Sequence, residues 1–154
     1  MGALISTGHV KLTLAGAKLV LEGAEKKAAE LGAPMDIAVV DEGGNLLAFS
    51  RMDGAKLTSI DIAINKAFTA AGTGRPTHEY TEASSPGGPI FGIHSSNRGR
   101  FTIFGGGLPI RLGGQVIGAI GCSSGTVEDD HAVAQAGVDA LMRALNGKEE
   151  AAAA

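Results

Sequence analysis

Clustered glycines constrain this chain more than any other feature. Gly105-Gly106-Gly107 and Gly113-Gly114 separate three short apolar runs, Arg100–Phe104, Leu108–Leu112 and Gln115–Cys122. Glycine reaches positive φ without steric cost, so such spacers predict tight hairpins between short strands. The pattern has a counterpart upstream, where Met35–Val40 and Leu46–Ser50 flank Asp41-Glu42-Gly43-Gly44-Asn45. Two meanders totalling five strands predict an antiparallel sheet with helices on one face or both. Gly118 and Gly121 stand inside the last run, where a glycine marks a bulge or the close approach of another backbone or a ligand.

Apolar residues at three- and four-residue steps predict the helices. Leu14, Ala17, Leu21, Ala24, Ala28 and Leu31 form one stripe, with Thr13 as cap and Gly32-Ala33-Pro34 as stop. A second helix is predicted over Ser59–Ala71, capped by Thr58 or Ser59, and one or two further turns over Thr77–Ala83. Residues 84–99 carry no period, the mark of a functional or partner-facing loop. Thr126 and Asp129 resemble a capping box for a last helix along Val127, His131, Ala134, Val138, Leu141 and Leu145, ended by Asn146-Gly147. The expected order is α-β-β-α-α-β-β-β-α, an α+β chain. Residues 1–12 form an N-terminal segment, 13–147 a single domain and 148–154 a flexible tail.

The 154 residues suit one domain, and their charge and chemistry exclude several functions. Thirteen basic against sixteen acidic residues, with five Phe, one Tyr and no Trp, offer no basic surface or stacking platform for nucleic acid. No apolar run approaches the ~20 residues of a membrane span and no signal pattern opens the chain, so the expected location is the cytoplasm. The lone Cys122 excludes an internal disulfide and a multi-cysteine zinc site, and reads as a small buried hydrophobe. No P-loop or dinucleotide fingerprint is present.

Among residues that could carry chemistry, His78 and His94 sit nearest flexible or helix-start positions. His9 is isolated, and His131 falls on an apolar stripe. Glu128, Asp129 and Asp130 open the last helix, where carboxylates favour the positive end of its dipole. Backbone N–H groups around Ser123–Thr126 could cradle a ligand carboxylate. Lys66 lies between Ile64 and Ala67, close to an apolar arc, where it requires a carboxylate such as Asp61 or a ligand acid. Arg51 follows the second strand, and Arg75, Arg98 and Arg100 flank the irregular segment.

Six strings occur in register: Val39-Val40-Asp41-Glu42-Gly43-Gly44-Asn45-Leu46, Arg51-Met52-Asp53-Gly54-Ala55, Asn65-Lys66-Ala67-Phe68-Thr69-Ala70, Pro86-Gly87-Gly88-Pro89, Gly105-Gly106-Gly107-Leu108-Pro109-Ile110 and Gly118-Ala119-Ile120-Gly121-Cys122-Ser123. Over residues 12–146 the chain resembles the GlcG/HbpS family of small haem-binding-type proteins, which includes the C-terminal domain of PduO-type proteins. The resemblance implies a profilin-like fold with a five-stranded antiparallel sheet, a dimer-based homo-oligomer, haem as cofactor in some members, and association with small-metabolite catabolism. It supplies no iron ligand. His94 or His78 could ligate, or less readily His9 or His131. Arg51, Lys66, Arg75, Arg98 or Arg100 could meet the propionates, with Gly87 and Gly88 beside the ligand. One alternative is an enzyme or enzyme accessory acting on a hydroxy acid, aldehyde or diol, with Lys66 and Asp53 as acid–base candidates. Another is a structural, partner-binding oligomer. The reading leans to binding rather than catalysis.

Overall fold

The computed structural model describes residues 4–153; residues 1–3 and 154, parts of the predicted N-terminal segment and tail, lie outside the described residues. Helix α1 (Leu14–Leu31) is followed by strands β1 (Asp36–Asp41) and β2 (Leu46–Arg51) and helix α2 (Ser59–Thr73). Two 3₁₀ turns, Thr77–Tyr80 and Ile93–Ser95, and the single turn α3 (Ser96–Gly99) lead to β3 (Gly107–Leu112), β4 (Gln115–Ser123) and α4 (Val127–Ala153).

The local signals for α1 act as read. Thr13 Oγ1 accepts the Gly16 N–H at 3.2 Å, and Gly32 closes the helix in the left-handed region at φ +64°. Asn146-Gly147 does not stop α4, which continues to Ala153, because Gly147 keeps a negative φ. No described helix is long and apolar enough to cross a membrane.

The sheet is antiparallel with order β2-β1-β4-β3, and it has four strands rather than the five expected. Arg100–Phe104 is the run that departs. Its backbone spends its hydrogen bonds on side chains instead of a neighbouring strand. Thr69 Oγ1 accepts the Thr102 N–H at 2.9 Å and donates to the Arg100 carbonyl at 3.2 Å, while Thr81 Oγ1 donates to the Ile103 carbonyl at 2.8 Å. The segment is therefore a strap laid along α2, and the five-stranded reading is corrected to four strands within an α+β fold.

Alternation along the strands sorts side chains to two faces. Ile37, Val39, Ile120 and Cys122 join Ala17, Val20 and Ala24 of α1 and Val133, Ala134 and Leu141 of α4 in the larger core. Ala38, Val40 and Ala119 meet Ala63, Ala67, Ala70 and Ala71 of α2 on the opposite face. The sheet is thus sandwiched between α2 and the α1–α4 pair. The alanine- and glycine-lined contact with α2 brings that helix close enough for one of its side chains to reach the other layer.

Candidate functional site

That side chain is Lys66. It is fully buried, and its Nζ passes the end of β3 to lie 2.7 Å from Asp130 Oδ2 on α4 and 2.8 Å from the Cys122 carbonyl oxygen. The end of the strap and the glycine turn after it enclose it. A Cβ on Gly106 would stand 2.7 Å from Lys66 Nζ, and φ there is +115°, so only glycine suits the position. The Phe104 ring caps the ammonium at 4.8 Å from its centroid, a cation–π contact. Burial pulls the Lys66 ammonium below its ordinary value and pushes the Asp130 carboxyl above its own; the attraction between them opposes both shifts.

Asp130 is the carboxylate that Lys66 requires, in place of Asp61. Its other oxygen accepts the Gly125 N–H at 3.0 Å. The Asp129 N–H goes to Thr126 Oγ1 at 3.1 Å, and Ser124 Oγ accepts the Lys56 N–H at 2.8 Å. The anion cradle expected at Ser123–Thr126 therefore holds the chain's own carboxylate rather than a ligand's. Cys122 is fully buried, and burial raises its thiol pKa far enough to keep it protonated and inert.

On the outer side of the same strap two histidines meet. The His78 and His131 rings lie edge to face, with centroids 5.2 Å apart and planes at 77°. They share an open cleft of about 370 Å³ with Gly105, Val127 and Glu128. Its one aliphatic wall, Val127, is uncovered at 43% exposure. Partial burial, with help from His78, lowers the His131 pKa, so its imidazole is neutral at pH 7.

The other residues singled out from the sequence stand elsewhere. His94 is exposed on the Ile93–Ser95 turn, and His9 lies in a shallow cleft with Lys11, Glu42 and Gln115. Arg98 is exposed with φ +60°. Arg100 stacks on Phe68 at 3.8 Å from the ring centroid, its Nε donating to Asn65 Oδ1 at 3.4 Å. Arg75 is exposed and 3.9 Å from Glu79. Gly87 and Gly88 build a turn closed by the Gly88 N–H on the Ser85 carbonyl at 2.8 Å. Arg51 and Asp53 line a shallow cleft against Glu22, Glu25 and Lys26 of α1, whereas Lys66 is sealed inside. Among the described residues, no group of three or more His, Cys, Asp or Glu is placed to hold a bare metal ion.

Asp36, unremarked in the sequence, opens β1 fully buried, and neither carboxylate oxygen has a protein hydrogen-bond partner. It sits in register with Ser123 on β4 and Arg51 on β2. Burial raises its pKa, and the Arg51 charge opposes this only in part. Since the folded pKa lies above the unfolded one, this carboxyl favours folding most at acid pH and progressively less as pH rises through the raised value. Asp36→Asn keeps the shape without the ionisation. It should be more stable than the parent near pH 8, by about 1 kcal/mol or more, and should lose that advantage near pH 4. Denaturant midpoints at the two pH values check this; a stability difference independent of pH would refute it.

This fold and site define the class of protein. The chain belongs to the HbpS-like family, whose model, described as "Haem degrading protein HbpS-like", matches residues 12–139. The resemblance carried by the six strings is thereby borne out. The chain is 48% identical over 128 residues to an uncharacterized 15.0 kDa protein in the dhaT-dhaS intergenic region of Citrobacter freundii, covering 83% of this chain and 90% of that protein. Among solved structures it is similar to protein ORFY of Klebsiella pneumoniae, with TM-score 0.87 and 42% identity over 92% of this chain and 98% of that one. It is also similar to the PduOC–haem complex, with TM-score 0.82 and 33% identity over 85% and 95% of the two chains.

Proposed function

We propose that this protein binds haem at the His78–His131 cleft, as a homo-oligomer serving small-metabolite catabolism in the cytoplasm. The observation that carries the reading is the imidazole pair itself, set in an open cleft with apolar walls. The residues fit the group. Iron takes neutral imidazole, and His131 is neutral at pH 7. The porphyrin face is flat and apolar; Val127 offers it an apolar wall, and Gly105 adds no side chain to obstruct it. Arg75, three residues before His78 in sequence, is exposed and only loosely paired with Glu79 at 3.9 Å, and is our candidate cation for a propionate. When bound, haem would supply an iron centre for electron or oxygen chemistry; the chain supplies ligands, an apolar seat and partial exclusion of water. The haem complex of the 33%-identical PduOC chain supports the same reading. So open a cleft leaves much of a porphyrin uncovered, which favours closure by a second copy.

Titration with haemin, followed in the Soret region, tests the proposal. The wild type should give a shifted band saturating at one haem per site. His78→Ala together with His131→Ala should abolish it, whereas His94→Ala should leave it intact. A flat wild-type titration, or one that the double substitution leaves unchanged, overturns the assignment. Native mass measured with and without haemin reads the oligomer.

A further inference from the structure

The two cleft histidines come from distant parts of the chain, yet the elements carrying them both meet around one lysine. His131 follows Asp130 in the first turn of α4, and Asp130 is fixed by Lys66 Nζ at 2.7 Å and the Gly125 N–H at 3.0 Å. His78 follows Thr77, a fully buried residue whose Oγ1 accepts the Gly107 N–H at 2.9 Å. Gly107 in turn lies flush on α2: a Cβ there would stand 2.6 Å from both the Lys66 carbonyl oxygen and Thr77 Cγ2. The ammonium end of Lys66 thus holds the element carrying His131, while its backbone lies flush against Gly107, the residue to which the element carrying His78 is hydrogen-bonded.

We infer that Lys66 and Asp130 are positioning residues for the cleft, their buried pair setting the distance and angle between the two imidazoles. Neither lines the cleft, so their influence is indirect. The inference rests on the haem reading for its ligand, but the imidazole geometry exists without haem. A buried ion pair is a poor way to gain stability, because desolvation offsets most of the attraction and a well-packed apolar pair often does as well. What it adds is direction. Lys66 Nζ is held at once by the carboxylate on α4 and the carbonyl on β4, whereas an apolar pair in the same space would leave α4 free to rotate or slide by fractions of an ångström. Groups that orient metal-bound histidines typically change metal affinity by about 10- to 100-fold when removed.

Two variants separate positioning from mere folding. Lys66→Met with Asp130→Leu removes both charges together and leaves neither stranded. Asp130→Asn keeps the shape and the acceptor toward Gly125 but strands the Lys66 ammonium, so it is read only where amide dispersion shows it folded. In haem-free protein, the nuclear Overhauser effect between the His78 and His131 ring protons reads the pair directly. With haemin, the Soret position and the affinity read its consequence. Both variants should keep native amide dispersion, lose most of the ring-to-ring effect, and bind haemin about 10- to 100-fold more weakly with a displaced band. A folded double variant that retains the wild-type ring contact and Soret position overturns the inference. If the wild type takes up no haemin, the ring contact alone decides: its loss in the variants sustains positioning while the haem reading falls.

Discussion

Lys66→Met should destabilise the protein by about 3–5 kcal/mol at neutral pH, a large share of the 5–15 kcal/mol that holds an ordinary domain together. Methionine preserves most of the buried stem, so the cost comes from what it strands. Asp130, with a side chain only 4% exposed, keeps the Gly125 N–H but loses its one cationic partner at 2.7 Å. The Cys122 carbonyl loses a donor as well. A lone buried carboxyl answers by taking up a proton, so its folded pKa rises well above its unfolded value. Stability of the variant is then greatest below the unfolded value and falls as pH rises through the folded one. The deficit relative to wild type should therefore be larger near pH 8 than near pH 5, measured by urea unfolding at both. Adding Asp130→Leu should recover most of the loss by removing the stranded group. A deficit below about 1 kcal/mol near pH 8 would mean that the pair contributes nothing the apolar stem does not.

Much of the fold is legible because its signals are local. Thr13 and Gly32 delimit α1 through atoms a few residues away, and Gly113-Gly114 turns β3 into β4 with φ +54° and +79°. The fifth strand misleads for the opposite reason. Arg100–Phe104 has strand-like composition, but a strand requires a neighbour, and here Thr69 and Thr81 intercept the backbone groups first. The site divides in the same way. That Lys66 needs a carboxylate is legible from its place beside an apolar arc. That the partner is Asp130 is hidden among Glu128, Asp129 and Asp130, each of which looks equally suited to a helix start. One signal separates them: Asp130, Ala134, Gly137 and Leu141 step by four and three along the face that is buried, while Glu128 is exposed. The meeting of His78 with His131 leaves no such trace. It depends on Gly105 letting the Thr77–Tyr80 turn close against the start of α4, where a Cβ would stand 2.8 Å from Val127 Cγ1.

Gly121→Ala, one methyl group, should cost about 4 kcal/mol or more, in the far tail of single substitutions. Gly121 lies at the centre of the sheet, in register with Ala38 on β1 and Gly107 on β3. A Cβ there would overlap the Ala63 carbonyl oxygen and stand 2.5 Å from the Ala67 nitrogen. Both neighbours are α2 backbone, so no rotamer change relieves the clash, and ordinary overpacking costs of about 1–3 kcal/mol understate it. Relief requires the helix to lift from the sheet. That movement uncovers Ala38, Val40 and Ala119 and draws Lys66 away from Asp130, so the steric and electrostatic losses arrive together. For a chain of this length the melting temperature should fall by about 8–16 °C. Gly72→Ala is the matched control: it lies inside α2 with nothing within 4 Å of an added Cβ, and should stabilise by about 0.5–1 kcal/mol through helix propensity alone. If Gly121→Ala instead melted within about 2 °C of wild type, α2 could ride higher without penalty. The reach of Lys66 across the sheet would then need an explanation other than the close approach of helix and strand.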